Sequence, residues 1–179
     1  MSELLGDVLL QPFRSVEAFL DAGGVVLWGI FSVGIVLWTL ILERFWYYWR
    51  LYPRARRQWQ DEWALRPERR SWAARRVRTA ILGEAELELS STLPIIGNLI
   101  AICPLLGLMG TVTGMIQVFD VMALMGTSDA RAMASGVSKA TVPTMAGMVV
   151  GLSGLFFQHR FQSRVRIETE QLSDQLAYR

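Results

Sequence analysis

Cysteine, histidine and lysine each occur only once in this sequence of 179 residues. The lone Cys103 excludes an internal disulfide, and within an apolar run a thiol is most simply a small apolar residue. No spacing of Cys and His residues indicates a metal site, so we expect no metal and no cofactor. The stretch "GLMGTVTG" lacks the lysine of a phosphate-binding loop, and no nucleophile–base pair suggests an enzyme.

Charge is missing from three long stretches, residues 23–42, 89–119 and 140–158. Each reaches or approaches the roughly 20 residues with which a helix crosses a bilayer core of about 30 Å. The chain is also 52% hydrophobic, with a mean hydropathy of +0.30. We therefore expect an all-α integral membrane protein with three transmembrane helices at 23–42, 92–119 and 135–159.

The first 22 residues lack the basic segment that begins a cleaved signal peptide, so we expect the first span to be retained as an anchor. Their pattern predicts an amphipathic helix over 1–22, broken near Pro12. Such a helix suits the outer membrane interface, and packing against its own domain is equally open.

Arginine is distributed unevenly along the chain, with eleven arginines between Arg44 and Arg78. Arginine-rich loops stay in the cytoplasm. We therefore expect the N-terminus outside, a cytoplasmic helical region at 43–91, a periplasmic link at 120–134 and a cytoplasmic tail at 160–179. Nucleic acid is an alternative partner for such arginines, but the interspersed Trp and Tyr favour the membrane surface and lipid.

Residues 86–90, "ELELS", alternate like a strand, but Glu and Leu are strong helix formers and we expect a helix. Thr92 is placed to cap the second span. Apolar Leu172 and Leu176 in the tail indicate that it packs on the cytoplasmic region. His159 ends the third span, where an interfacial role competes with a proton relay.

Small residues form one helical face in each of the last two spans. In the second span, the spacing i, i+3, i+4, i+7 is occupied by Gly107, Gly110, Thr111 and Gly114. In the third, a similar spacing is occupied by Ala140, Thr144, Gly147, Gly151 and Gly154. Small faces let helix backbones approach closely, so helix packing explains them. Hydroxyl groups on the same faces also fit the lining of an aqueous pore.

Two stretches resemble the MotA/TolQ/ExbB proton-channel family: "PLLGLMGTVTGMIQVF" its second-span motif and "ASGVSKATVPTMAGMVVGLSGLFF" its third-span motif. The likeness is greatest to short ExbB proteins that work with TonB. It implies a homopentamer whose second and third spans surround the helices of an ExbD dimer, a single-span protein with a membrane aspartate. It also implies that proton flow energises a TonB-like protein for outer-membrane import, that Thr111 and Thr144 are the pore threonines, and that the adjacent glycines line the pore.

Lys139 departs from the family, whose typical members carry a glutamate at this place in the membrane. The lysine suits snorkelling to the outer interface, pairing with a partner carboxylate, or a position at the pore mouth. No carboxylate lies inside the three spans, so a partner must supply any group that carries protons. Alternative functions are a TolQ-like or motility stator subunit and a non-conducting membrane scaffold.

Overall fold

The computed structural model describes residues 2–65, 71–125 and 130–176. The side chains of residues 1–22, 125, 130–132 and 135 lie outside this description, and with them the predicted amphipathic face of residues 1–22. All elements of the described chain are helical. They are listed here in chain order: α1 (Ser2–Trp46), a π-helical turn (Tyr47–Leu51), α2 (Tyr52–Ala64), α3 (Trp72–Ser90), α4 (Leu93–Met125) and α5 (Ala130–Gln175).

The first of two compact units comprises Met1–Val36 and Leu99–Ser153. Its core centres on Leu27 and Ile30 of α1, which are 2% and 1% exposed. Half-buried apolar side chains of all three helices pack against this pair: Val26, Leu106, Val142, Ala146 and Val150. The first unit therefore contains most of each predicted span, together with residues 1–22 and the predicted 120–134 link.

The break in α1 lies at Gly24, whose φ of 64° and ψ of −160° are not helical. Glycine adopts positive φ without the steric cost of a side chain. The expected break near Pro12 is wrong, because α1 runs through Pro12 and has its one non-helical residue at Gly24. Proline removes one hydrogen bond from a helix, but it keeps φ near the helical value, so the backbone dihedrals at Pro12 stay compatible with helix.

The second unit comprises Leu37–Asn98 and Gly154–Arg179. Its core combines Trp59 and Trp63 of α2, Ile81 of α3 and Leu172 of α5, all buried. Polar contacts join the same helices. The Arg78 guanidinium donates to carbonyl oxygens at the end of α5, and an ion pair of 3.4 Å links α2 to α5. These contacts confirm the predicted packing of the tail on the region that precedes the second span.

A π-helical turn replaces regular helix just before Pro53. The Tyr52 N–H donates to the Tyr47 carbonyl, five residues back. Proline has no N–H to continue the normal pattern, which explains why the irregular turn precedes it. The hydrogen-bond pattern changes here, and the chain continues directly into α2.

Within the described part of the chain, three helical segments are long and apolar enough to cross a membrane: Gly23–Ala64, Trp72–Leu124 and Gly136–Gln175. The chain therefore has the three long apolar helices of a multi-pass membrane protein. The structure confirms that α4 begins directly after Thr92, whose carbonyl accepts from the Ile96 N–H. Residues 86–90 lie in α3, which excludes the strand alternative. Helix also extends into both ends of the predicted 120–134 link.

Candidate pore-forming helix pair

Three glycines of α4 lie so close to α5 that no side chain fits between the helices. A Cβ atom on Gly107 would stand 2.9 Å from the Thr144 Cα atom. One on Gly114 would stand 2.7 Å from the Ala140 Cβ atom, and one on Gly110 would overlap a proline ring of α5. The small face of α4 is therefore the face that packs on α5 within the chain.

Two glycines of α5 contribute to the same contact with α4. A Cβ atom on Gly147 would overlap the Cys103 carbonyl oxygen and stand 3.3 Å from the Gly107 Cα atom. Gly151 has more room, because its Cβ atom would stand 3.4 Å from the Ile100 carbonyl oxygen. Of the two roles that the sequence left open for the glycines, the structure shows helix packing. Pore lining stays a prediction.

The hydroxyl group of Thr144 links the two helices. Its Oγ1 donates to the Gly107 carbonyl oxygen of α4 at 2.8 Å, whereas Thr111 Oγ1 donates to the Leu108 carbonyl oxygen of its own helix at 2.7 Å. A hydroxyl has one hydrogen and two lone pairs. In both threonines the hydrogen is used and the oxygen remains an acceptor. Both side chains are therefore able to hold a water molecule that donates to them.

Helical spacing gives α5 three faces in the first unit. One packs on the α1 core and one packs on α4. The third face is exposed and contains Thr141, Met145, Met148 and Leu152. Residues three and four apart are neighbours on a helix surface, so Thr144 borders Thr141 and Met148. Thr144 thus lies at the edge of the α4 contact, beside the exposed face.

Thr111 occupies the matching edge on α4. It borders Gly107 and Gly114 in the contact and exposed Leu108 outside it. Leu106, which packs on the α1 core, lies on the opposite flank of the glycine face. The two predicted pore threonines therefore lie on the flank of the helix pair that faces away from α1.

Lys139 lies on the other flank. It precedes Val142 and Ala146 by three and seven residues, and both pack on the α1 core. Its side chain is exposed and lines a cavity together with Thr113 and Gln117. A role in partner pairing or at a pore mouth stays a prediction, because the structure contains one chain and no partner.

The chemistry that this helix pair offers is hydrogen bonding and shape. Glu43 and Asp120 stand at the ends of the predicted spans and not within them. Among the described residues, no three His, Cys, Asp or Glu side chains come together as metal ligands. His159 is exposed and belongs to the part of α5 in the second unit. The pair is therefore able to line a water-filled path, and its predicted spans contain no acid that could carry a proton along it.

The second unit contains a buried cation that the sequence analysis did not single out. Arg44 is 2% exposed, and its guanidinium carbon lies 4.8 Å from the ring centre of Tyr47 and 5.4 Å from that of Tyr48. It also donates to the Glu88 carbonyl oxygen. The signal in the sequence was the two tyrosines three and four residues after the arginine, a spacing that places aromatic rings over a cation.

Comparison with known proteins agrees with this architecture. A family model described as "MotA/TolQ/ExbB proton channel family" matches residues 54–174, which is 121 of the 179 residues. A Synechocystis sp. protein named "Putative biopolymer transport protein ExbB-like 3" is 40% identical over 68 residues, which cover 37% of this chain and 32% of that protein. A second protein from that organism, "Putative biopolymer transport protein ExbB-like 1", is 37% identical over 78 residues, covering 42% and 30%. The matched segments thus span about a third of the length of these curated relatives. The chain belongs to the MotA/TolQ/ExbB proton channel family.

Proposed function

We propose that this chain is a stator subunit of an inner-membrane proton channel that works with an ExbD-like protein and energises a TonB-like protein. The observation that carries the proposal is the position of Thr111 and Thr144. Both hydroxyl oxygens stand at the edge of the α4–α5 contact, with an acceptor site left open, on the flank away from α1. In an oligomer, water along this flank would contact α4 and α5 and would need no group from α1.

The proposed assembly is a homopentamer in which α4 and α5 of each copy face a shared pore. Close packing supports this, since the small residues make α4 and α5 one narrow wall that can repeat around an axis. We propose that the N-terminus and the link at 120–134 lie in the periplasm, and that the region at 43–91 and the tail at 160–179 lie in the cytoplasm. The arginines between Arg44 and Arg78 support that orientation.

The partner is required because the chain has no acid within its spans. Threonine hydroxyls do not ionise near neutral pH, so they can hydrogen-bond to water but cannot carry the proton themselves. We therefore expect no proton flux from vesicles that contain the purified chain alone. We expect flux when a single-span protein with a membrane aspartate is present, and that protein should purify with the chain.

The valine variants Thr111→Val and Thr144→Val test the pore role. Each removes an acceptor for water, and a barrier raised by about 1.4 kcal/mol lowers a rate tenfold. We expect proton flux through the assembly with its partner to fall by about tenfold or more. The control is Thr113→Val, which makes the same change in the same helix on the flank that faces α1. Its flux should match the unaltered protein.

A non-conducting membrane scaffold is the second candidate, because Gly107, Gly114 and Gly147 are all occupied by helix packing within one chain. A scaffold would assemble with its partner and support nutrient uptake with both valine variants. Full nutrient uptake by both variants, with no proton flux through the assembly and its partner, would reject the pore role and favour the scaffold. Full flux in both variants would instead reject the role of the two threonines. If proteins of the Tol or flagellar systems purify with the chain, it is instead a subunit of a related stator.

A further inference from the structure

The first unit contains a cavity of about 740 Å³ beside Lys139. Part of its lining consists of glycines, among them Gly24, Gly114 and Gly136. The α1 backbone breaks at Gly24, so this helix does not continue straight past Val26 to cover the space. The cavity is therefore a hollow where three helices of the unit leave a gap.

The polar groups that line the cavity mainly donate hydrogen bonds. Lys139 brings an ammonium group with three donors, and Gln117 brings an amide with two. The Thr113 hydroxyl donates to the carbonyl groups of its own helix at 3.0 and 3.1 Å, which leaves it an acceptor. Among the described lining residues there is no carboxylate, so the positive charge of Lys139 is not balanced there. The site therefore favours an anion.

The depth of Lys139 is that of a lipid headgroup. The uncharged stretch that follows it, residues 140–158, spans about 28 Å as a helix, close to the thickness of the hydrocarbon core. Lys139 thus stands at one edge of that core. Asp120 of α4 marks the same edge, one turn beyond Gln117, and it does not line the cavity.

The rest of the wall is apolar, and includes Val118, Val121, Met122 and Met133. A small inorganic anion would leave this surface uncovered, whereas an acyl chain would cover it. We propose that the cavity binds an anionic phospholipid, with its phosphate on Lys139 and Gln117 and an acyl chain along the valine and methionine wall. The proposal rests on the membrane location of this unit and not on proton conduction, so either can fail without the other.

Lipid retention tests the site. The purified protein is reconstituted in equal amounts of phosphatidylglycerol and phosphatidylcholine, extracted into mild detergent, and its bound lipids are counted by native mass spectrometry. One cation near the surface contributes about 1 kcal/mol toward an anionic lipid, so we expect phosphatidylglycerol to be preferred by about fivefold. Lys139→Gln should abolish the preference, and Lys139→Arg should keep it.

Two further variants separate this site from general charge effects. Val121→Trp fills the cavity and keeps the lysine, so it should lower the number of retained lipids. Arg160→Gln removes an exposed cation at the other end of the uncharged stretch and should leave the Lys139-dependent preference unchanged. All variants are first compared by size-exclusion chromatography to confirm that they remain assembled.

Four outcomes would overturn the proposal. The first is equal retention of the two lipids by the unaltered protein, and the second is an undiminished preference in Lys139→Gln. The third is a preference that appears only in Asp21→Asn, which would show that an acid of the chain's own N-terminal segment neutralises Lys139. A protein that purifies with the chain through Lys139, in place of lipid, would also reject it.

Discussion

A methyl group added at Gly107 tests whether direct backbone contact holds α4 against α5. The new Cβ atom would stand 2.9 Å from Thr144 Cα and 3.0 Å from the Pro143 carbonyl oxygen. Both neighbours are backbone atoms, which cannot rotate away as a flexible side chain would. Because ordinary contact begins near 3.4 Å, the helices must separate by about 0.5 Å.

Three effects set the size of the change in stability. Overpacking of this kind costs about 1–3 kcal/mol. Separation also weakens the bond from Thr144 to the Gly107 carbonyl, and an interhelical hydrogen bond within a membrane contributes about 0.6 kcal/mol. Against this, alanine favours a helix over glycine by about 0.8–1.0 kcal/mol. We therefore expect Gly107→Ala to lower the free energy of unfolding by about 1–2 kcal/mol.

The assay is thermal unfolding of the purified protein in detergent, followed by tryptophan fluorescence at one scan rate. Gly29→Ala is the matched control, since a Cβ atom there meets nothing within 4 Å and the change only improves helix propensity. Gly151→Ala should fall between the two, because its contact begins at 3.4 Å. If Gly107→Ala unfolds at the same temperature as Gly29→Ala or above it, the close-contact argument fails.

Two arginines of the second unit give further predictions. Arg78→Ala removes charge-assisted hydrogen bonds to the end of α5 at 2.9 and 3.0 Å. We therefore expect the free energy of unfolding to fall by about 1.5–3 kcal/mol and amide exchange in the tail to become faster. Arg75→Ala, at an exposed position, should change neither quantity. Arg44→Lys keeps the charge but loses the planar group that lies over two tyrosine rings, so the midpoint of thermal unfolding should fall. The same change at exposed Arg57 should not lower it, and equal midpoints for the two variants would count against the aromatic contacts of Arg44.

The sequence predicts the number and type of helices well because lack of charge and helical periodicity are local signals. The start of α4 after Thr92 and the packing of Leu172 follow from such signals. Helix ends are harder to predict. Counting uncharged residues locates the apolar part of a helix, and α4 continues past Asp120 because water also permits helix. The break at Gly24 was missed since glycine occurs in helices as well as at breaks.

The candidate site is predicted less completely, because its residues act through contacts that are distant in the sequence. The spacing of Gly107 and Gly114 shows that they share a face. It does not show whether that face meets α5 of the same chain, a neighbouring copy or water. Likewise, the flank on which Lys139 lies depends on which face of α5 the residues around Leu27 cover. That choice is made by packing among three helices, so no local pattern contains it.

The separation of Lys139 from the threonines has a consequence for the proposed channel. A partner aspartate that carries protons must alternate between its charged and neutral forms. A cation beside it would favour the charged form and oppose protonation. Thr111 and Thr144 offer neutral acceptors on one flank of the helix pair, and Lys139 stands on the flank that faces α1. An acid that moves along the threonine flank is therefore spared direct contact with the ammonium group, so Lys139 does not hold the partner in one protonation state.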